Sequence, residues 1–424
     1  MDESKRALFT RLFEAAVAAA DPAEALRGRL PGPVPGRTVV IGAGKGAAQL
    51  AQAFETAWAA AGHGPLEGVV VTRYGYAVPC DGLEVLEASH PVPDAAGIAA
   101  TDKILALLEG LSPDDQVIAL ITGGGSALLA APPEGLTLED EQALNQALLA
   151  SGAPIGAMNA IRKQVSRVKG GRLAALAAPA KVTSFIVSDV PGDDPAEVAS
   201  GPTVPCGKTR ADALQAVRRH DIALPDRIRA FLETAPEDAP DPAAPLFAEN
   251  RVTVIASAAR SLEAAAALAE AEGLPAVILS DAMEGEAREV GRVLAAIARE
   301  VQLRDRPFKR PVLILSGGET TVTLRGKGRG GRNSEFLLSF ALEIDGQPGI
   351  SALAADTDGI DGSEDNAGAF ADGLSAGAIR HAGVDPAEAL GRNDAYSAFE
   401  AAGLIFAPGP TGTNVNDFRA ILVE

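Results

Sequence analysis

A chain of 424 residues exceeds one ordinary domain and predicts two or three. The hydrophobic share of 47% can fill real cores, but aromatics make up only 4%, so those cores must be built from Val, Ile, Leu and Ala. A net charge of −19 repels nucleic acid and anionic lipid, which argues against both as bulk partners and makes any local basic cluster informative. Cys80 and Cys206 cannot make a disulfide framework and have no metal-ligand spacing around them, which fits a cytoplasmic protein.

The first residues, MDESKRALFTRLFEAAVAAADP, do not match a signal peptide. Leu8, Leu12, Phe13 and Ala16 recur at helical spacing and predict an amphipathic helix lying on a domain. No apolar run is long enough to span a membrane. From there, short β-branched runs alternate with Ala/Leu-rich helical patterns. Strands are predicted at 38–43, 68–72, 84–88, 116–122 and 181–188. The helix after the first strand buries Ala47, Leu50, Ala51, Phe54 and Trp58 on one face. This alternation implies βαβ units and a mostly parallel sheet, an α/β fold. The segment 236–250, PEDAPDPAAPLFAEN, has linker composition and places a boundary between domains 1–240 and 241–424. The last residues are left free to pack back on the first domain. The second half restarts the alternation, with strands at 252–257, 276–280, 312–316, 321–324 and 350–354.

Ligands in open α/β sheets collect outside the carboxyl ends of the strands, and the unusual clusters fall there. In VVIGAGKGA, Gly42, Gly44 and Gly46 form a turn into a helix, with Lys45 between them. Free N–H groups at a helix start attract an anion. It is neither a P-loop nor a G-x-G-x-x-G dinucleotide fingerprint, and a turn needing glycine for steric reasons reads equally well. In ALITGGGSALLA, Gly123, Gly124 and Gly125 permit close backbone approach, and Ser126 can donate to a carboxylate or phosphate. In MNAIRKQVSRVKGGRLA, Arg162, Lys163, Arg167, Lys169 and Arg172 form either an anion site or a solvated helix face, with Gly170 and Gly171 at the helix C-terminus.

In FIVSDVPGDDP, Asp189 sits at a strand end with Asp193 and Asp194 behind it. Asp189 and Asp193 suit a Mg²⁺–phosphate site, and Asp189 could instead accept a hydroxyl proton; Asp is also a common turn former. His90 in EASHPVPD could hold a carboxylate but suits a packed turn better. In the second half, SGGETT offers Glu319, and the basic loop RGKGRGGRN ends at a helix starting near Arg332 and Asn333, an anion cradle on physical grounds. ADTDGIDG brings Asp356, Asp358 and Asp361 after a strand without the EF-hand spacing.

The strings IGAGKGA, VVVTRYGY, EASHPVPD, ITGGGSALL, RKQVSRVKGGRLA, SDVPGDDP, ASGPTVP, SGGETTV, GRGGRN, DTDGIDG and GPTGTNVND follow in this order along almost the whole chain. Together they resemble the class II glycerate kinases, the glycerate 2-kinase family whose C-terminal half is called the MOFRL domain. The resemblance implies ATP- and Mg²⁺-dependent phosphorylation of the 2-hydroxyl of D-glycerate. It also implies a Rossmann-like domain, a second α/β domain and a cleft between them. Lys45 and Arg332 match the family's proposed functional residues, and we expect them to neutralise phosphate charge from opposite sides of that cleft. Some relatives carry the label hydroxypyruvate reductase, which would require a nicotinamide site. That activity, and a non-catalytic sugar-acid-binding role, are the alternatives.

Overall fold

The computed structural model describes residues 1–236 and 239–424. Of the segment expected as a linker, residues 237 and 238 lie outside the described residues. The chain divides into two compact units, Ala25–Ile255 and Met1–Glu24 with Ala256–Glu424. The division falls beyond the linker, at 255/256 rather than 240/241, because the strand that follows the linker still joins the first sheet.

The unit 25–255 is built on β1 (Thr38–Ala43), β2 (Glu67–Arg73), β3 (Leu83–Ala88), β4 (Gln116–Thr122), β5 (Lys181–Val187) and β6 (Arg251–Ala256), in the order β3-β2-β1-β4-β5-β6. The ladders joining β1 to β5 are all parallel. Every residue of β1 and β4 is buried, as expected for strands covered on both faces. Val39, Ile41, Val117, Ala119 and Ile121 share one core with Ala100 and Ile104 of helix Ala95–Leu108 and with Leu173 and Ala177 of helix Arg172–Ala177. On the other face Phe54 of helix Ala47–Ala60 meets Phe185 of β5, ring centroids 6.2 Å apart. Four helices form a satellite core around Leu144, Leu148, Ile161, Val217 and Ile228. The strand order reverses between β1 and β4, and at such a switch point the connections leave on opposite faces and open a crevice at the carboxyl ends.

The other unit pairs β7 (Ala276–Glu286), β8 (Val312–Thr321), β9 (Ile350–Asp356), β10 (Gly368–Asp372), β11 (Ile405–Phe406) and β12 (Asp417–Val423), in the order β11-β10-β9-β12-β8-β7. Only β7 and β8 run parallel; the remaining ladders are antiparallel. The stretches expected as separate strands at 312–316 and 321–324 merge into β8, and 322–324 is not strand. The last residues form β12, a central strand of the second sheet. The first residues make the unexpected connection. Helix Glu3–Ala19, capped by the Asp2 side chain, buries Phe9, Leu12, Phe13 and Ala16 in the core of the unit that contains residues 256–424. Phe13 meets Phe406 and Phe418 edge-on, at 5.0 and 6.0 Å. No helix among the described residues is long and apolar enough to cross a membrane, and Cys80 and Cys206 are both free thiols.

Candidate active site

In the unit 25–255 the expected residues converge on the switch point. Gly44 has φ 140°, and a Cβ there would lie 2.1 Å from Thr122 Oγ1, so β1 and β4 meet where only glycine fits. The backbone of this turn is spent on that junction. The amides of Gly44 and Lys45 donate to the Val71 and Gly123 carbonyls at 3.1 and 2.8 Å. The Gly46 amide donates to Thr122 Oγ1 at 3.0 Å, and Thr72 Oγ1 donates to the Lys45 carbonyl at 3.0 Å. The turn therefore offers its glycine amides to its own neighbours rather than to an anion. It contributes the Lys45 side chain, which has no ion-pair partner among the described residues.

The second glycine turn explains itself position by position. A Cβ on Gly123 would sit 1.9 Å from Asp189 Oδ2, so the Asp189 carboxylate rests directly on this glycine. Gly124 has φ 81°, and its missing Cβ leaves room for Lys45 Cγ at 2.9 Å and His90 Nε2 at 3.2 Å. Gly125 makes way for Ala199 and the Ala43 carbonyl. Lys45, His90 and Asp189 thus lie against consecutive residues of one loop. Burial, then the charges of Lys45 and Arg73, hold the His90 imidazole down at about 4, so it is neutral near pH 7.

The basic segment is not a solvated helix face. Helix Ile155–Gln164 carries only Arg162 and Lys163, in its last turn, and Gly171, with φ 86°, starts helix Arg172–Ala177 instead of ending the preceding one. Lys163, Lys169 and Arg172 are buried. Lys163 pairs with Glu197 at 2.6 Å and Lys169 with Glu141 at 2.8 Å. Arg162 differs. Its Nε and Nη1 donate to the side-chain oxygens of Asn145 and Asn159, at 3.2 and 3.3 Å, and among the described residues it has no ion-pair partner. Asn159 Oδ1 also accepts from Ser200 Oγ at 3.0 Å, and that hydroxyl lies 3.0 Å from Ser126 Oγ. Arg162 and the Ser126 turn therefore belong to one polar network. Ser200 sits at φ 61°, a left-handed conformation rare for serine that this network holds in place.

Arg332, Glu319, Asn333 and Asp358 belong to the other unit. Arg332 donates to Asp417, Asp356 and Glu319 at 2.6, 2.7 and 2.9 Å. Burial works against its charge, but these three carboxylates outweigh it and raise the guanidinium above its ordinary range. Burial likewise drives Asp356 well above the usual carboxylate range; Arg332 opposes this, while Asp358 and Asp417 add to it. The expected anion cradle at the helix start is filled from within. Asp361 accepts from the Asn333 and Ser334 amides at 2.9 and 2.8 Å, and a Cβ on Gly331 would lie 2.4 Å from Asp361 Oδ1. Gly331 admits the protein's own carboxylate. Asn333 Nδ2 donates to Asp417 at 2.8 Å, and Asp358 donates its amide to Asp356 at 3.1 Å. Arg419, fully buried in β12, completes the cluster with an ion pair to Asp417 and a place 4.9 Å from the Phe336 ring centroid.

Among the described residues no group of three or more His, Cys, Asp or Glu is arranged to hold a metal. Asp193 lies in a turn at φ 54°, and Asp194 accepts from the Ala196 amide at 2.9 Å, the turn-forming role of aspartate. Mg²⁺ in phosphate sites commonly takes one or two carboxylates plus the phosphates themselves, so Asp189 against Gly123 fits that donor set by its chemistry.

Comparison with known proteins decides the family. Residues 8–233 match a domain of unknown function, DUF4147, and residues 312–417 match the MOFRL family. The D-glycerate 2-kinase of Thermotoga maritima is 39% identical, covering 98% of this chain and 97% of that one. The chain belongs to the glycerate 2-kinase family. A crystal structure of glycerate kinase from Thermotoga maritima superimposes with a TM-score of 0.89 at 37% identity, covering 100% of both chains. A protein of Agrobacterium vitis, 52% identical over 100% of this chain and 95% of its own, bears the name putative hydroxypyruvate reductase.

Within this glycerate 2-kinase fold, the strand-end residues carry a sequence pattern and their partners do not. Thr72, Thr122, Asn145, Asn159 and Ser200 are ordinary polar residues whose roles come from tertiary neighbours. Asp417 had a signal, as the last residue of the quoted GPTGTNVND, but not one that named Arg332 as its partner.

Proposed function

We propose that this chain transfers the γ-phosphoryl group of ATP to the 2-hydroxyl of D-glycerate, giving 2-phosphoglycerate and ADP. The observation that carries this reading is the group over the 123–125 turn at the switch point: Lys45, without an ion-pair partner among the described residues, a neutral His90 and the Asp189 carboxylate. The names and near-complete coverage of the kinase relatives support it.

Phosphoryl transfer needs alignment and charge neutralisation more than covalent chemistry. Lys45, with no ion-pair partner among the described residues, supplies positive charge for the migrating phosphoryl group. In our reading Asp189 accepts the proton of the glycerate hydroxyl as its oxygen bonds to the γ-phosphorus. The bond from that phosphorus to the β–γ bridging oxygen breaks, and the electron pair leaves with ADP. Neutral His90 adds a hydrogen bond without another charge. Mg²⁺, when bound, would be held by Asp189 together with the nucleotide phosphates and would neutralise charge there; in that case the carboxylate orients the hydroxyl less directly.

The name borne by the Agrobacterium vitis relative favours a second reading, NAD(P)H-dependent reduction of hydroxypyruvate. A dinucleotide site of the Rossmann kind spends the first turn's free amides on pyrophosphate. Here those of Gly44, Lys45 and Gly46 are already bonded within the protein. One assay separates the two. Purified protein with ATP, Mg²⁺ and D-glycerate is expected to release ADP and 2-phosphoglycerate. Oxidation of NADH by hydroxypyruvate without ATP, and no ADP from glycerate, would establish the reductase instead.

A further inference from the structure

Among the cations of the segment 162–172, Arg162 is held by neutral side chains. Lys163 and Lys169 each face a carboxylate at short range, and Arg167 pairs with Asp102 at 3.1 Å. Among the described residues Arg162 meets two neutral amide oxygens, from Asn145 and Asn159. A guanidinium carries five N–H donors, so these two bonds fix its plane and leave Nη2 without an acceptor. Burial penalises this charge, with Glu141 opposing. Such a charge is costly to maintain unless something complements it. The brace runs to both sides of the loop cluster. Asn145 donates to the Pro91 carbonyl beside His90 at 3.3 Å, and Asn159 connects through Ser200 to Ser126.

The surroundings specify what complements it. Arg162, Ser126, Asn145, Glu141 and Lys169 line a cavity of about 10 Å³, room for roughly one oxygen atom. Glu141 Oε1 accepts from Lys169, while its Oε2 is buried without any donor. An acceptor beside a space for one oxygen atom takes an O–H, from a water or from a ligand hydroxyl that displaces it. A fully ionised phosphate brings no such donor and is repelled by Glu141. A small acid that also carries a hydroxyl satisfies both ends: carboxylate on the guanidinium, hydroxyl on Glu141.

We propose that Arg162 is the carboxylate anchor for the acceptor, with Glu141 Oε2 receiving a hydroxyl of the same hydroxy acid. This deepens the kinase reading and rests on it for the name of the acid. The test uses the full chain with Arg162→Gln and Arg162→Lys, D-glycerate, its methyl ester and ATP. A charge-assisted bidentate pair predicts that Arg162→Gln raises KM and the calorimetric Kd for D-glycerate about tenfold to hundredfold. The KM for ATP should stay within threefold and kcat should change little. A purely structural role would not confine the loss to one substrate. The uncharged methyl ester should bind wild type and Arg162→Gln alike. If Arg162→Gln does not fold, Arg162→Lys gives the same reading, since a point charge cannot reproduce the fork, and wild type must still prefer the acid to the ester by tenfold or more.

Unchanged glycerate Kd in a folded variant overturns the proposal. So does a loss that falls on ATP, which would make Arg162 a nucleotide contact, and so does equal affinity of wild type for acid and ester. If wild type makes no ADP from glycerate, the kinase reading fails by itself. The glycerate Kd of wild type against the variants then still decides the anchor.

Discussion

Lys45 and Arg332 are both basic residues after a strand, matched to the same family, yet their surroundings give them different work. Lys45 has no ion-pair partner among the described residues, so its removal leaves no orphaned charge. Lys45→Ala should melt like wild type while turnover with glycerate falls about 10²- to 10³-fold, the scale of a lost electrostatic contact to the transition state. Near-normal turnover would remove Lys45 from the chemistry. Arg332 is the hub of three carboxylates, of which Asp417 is fully buried and Asp356 nearly so. Arg332→Gln leaves them facing one another, and breaking a buried pair from one side costs about 3–5 kcal/mol. Urea melts at neutral pH should show that loss; a variant as stable as wild type would mean the cage is not structural. If Arg332 also meets a phosphate, it does so through the two N–H donors that these three carboxylates leave.

At the level of turns and strands, glycine was legible in position and only partly in purpose. The apolar runs of β1, β4 and β5 announced buried parallel strands, and the glycine clusters after them marked the ligand end of the sheet. What the sequence does not carry is which neighbour needs the missing Cβ. Gly44 is required by Thr122, Gly123 by Asp189 and Gly331 by Asp361, partners at least 30 residues away in each pair whose approach exists only in the folded chain. The strands β10 to β12 escaped notice for related reasons. GAFAD is small and weakly patterned, IF is too short, and DFRAILV places Arg419 in mid-strand, tolerated because Asp417 lies two residues away. Gly124 allows a direct test of turn geometry against function. Gly124 and Gly110 both hold left-handed backbone, at φ 81° and 69°, but only Gly124 has Lys45 and His90 in the space of a Cβ. Alanine at either site should cost about 1–2 kcal/mol of backbone strain. Only Gly124→Ala should also depress kcat/KM, by displacing Lys45; equal activity in the two variants would show that the turn does not position it.

On the scale of the whole molecule, chain order and structural membership disagree at the N-terminus. The apolar spacing of the first helix was readable, but its destination was not, because Leu12, Phe13 and Ala16 would suit any apolar surface. Complementary shape settles it: Phe13 enters between Phe406 and Phe418, Ser261 Oγ donates to the Ala16 carbonyl at 2.7 Å, and Thr413 Oγ1 to the Ala20 carbonyl at 3.0 Å. Thus residues 1–24 depend for their packing on a part of the chain made more than two hundred residues later. Trp58, the single tryptophan, lies in the unit 25–255, stacked on Phe54 with ring centroids 5.6 Å apart, and its fluorescence reports that unit alone. Deleting residues 1–20 strips Phe9, Leu12 and Phe13 from the second core; at about 1.5–3 kcal/mol per large apolar side chain, that unit should lose much of its stability. In urea, part of the far-ultraviolet circular dichroism should then melt early while the Trp58 transition keeps its midpoint. An added peptide of residues 1–20 should restore the early phase. A shift of the Trp58 midpoint with no early phase would assign the helix to the unit that follows it in sequence, and the discontinuous unit would have to be redrawn.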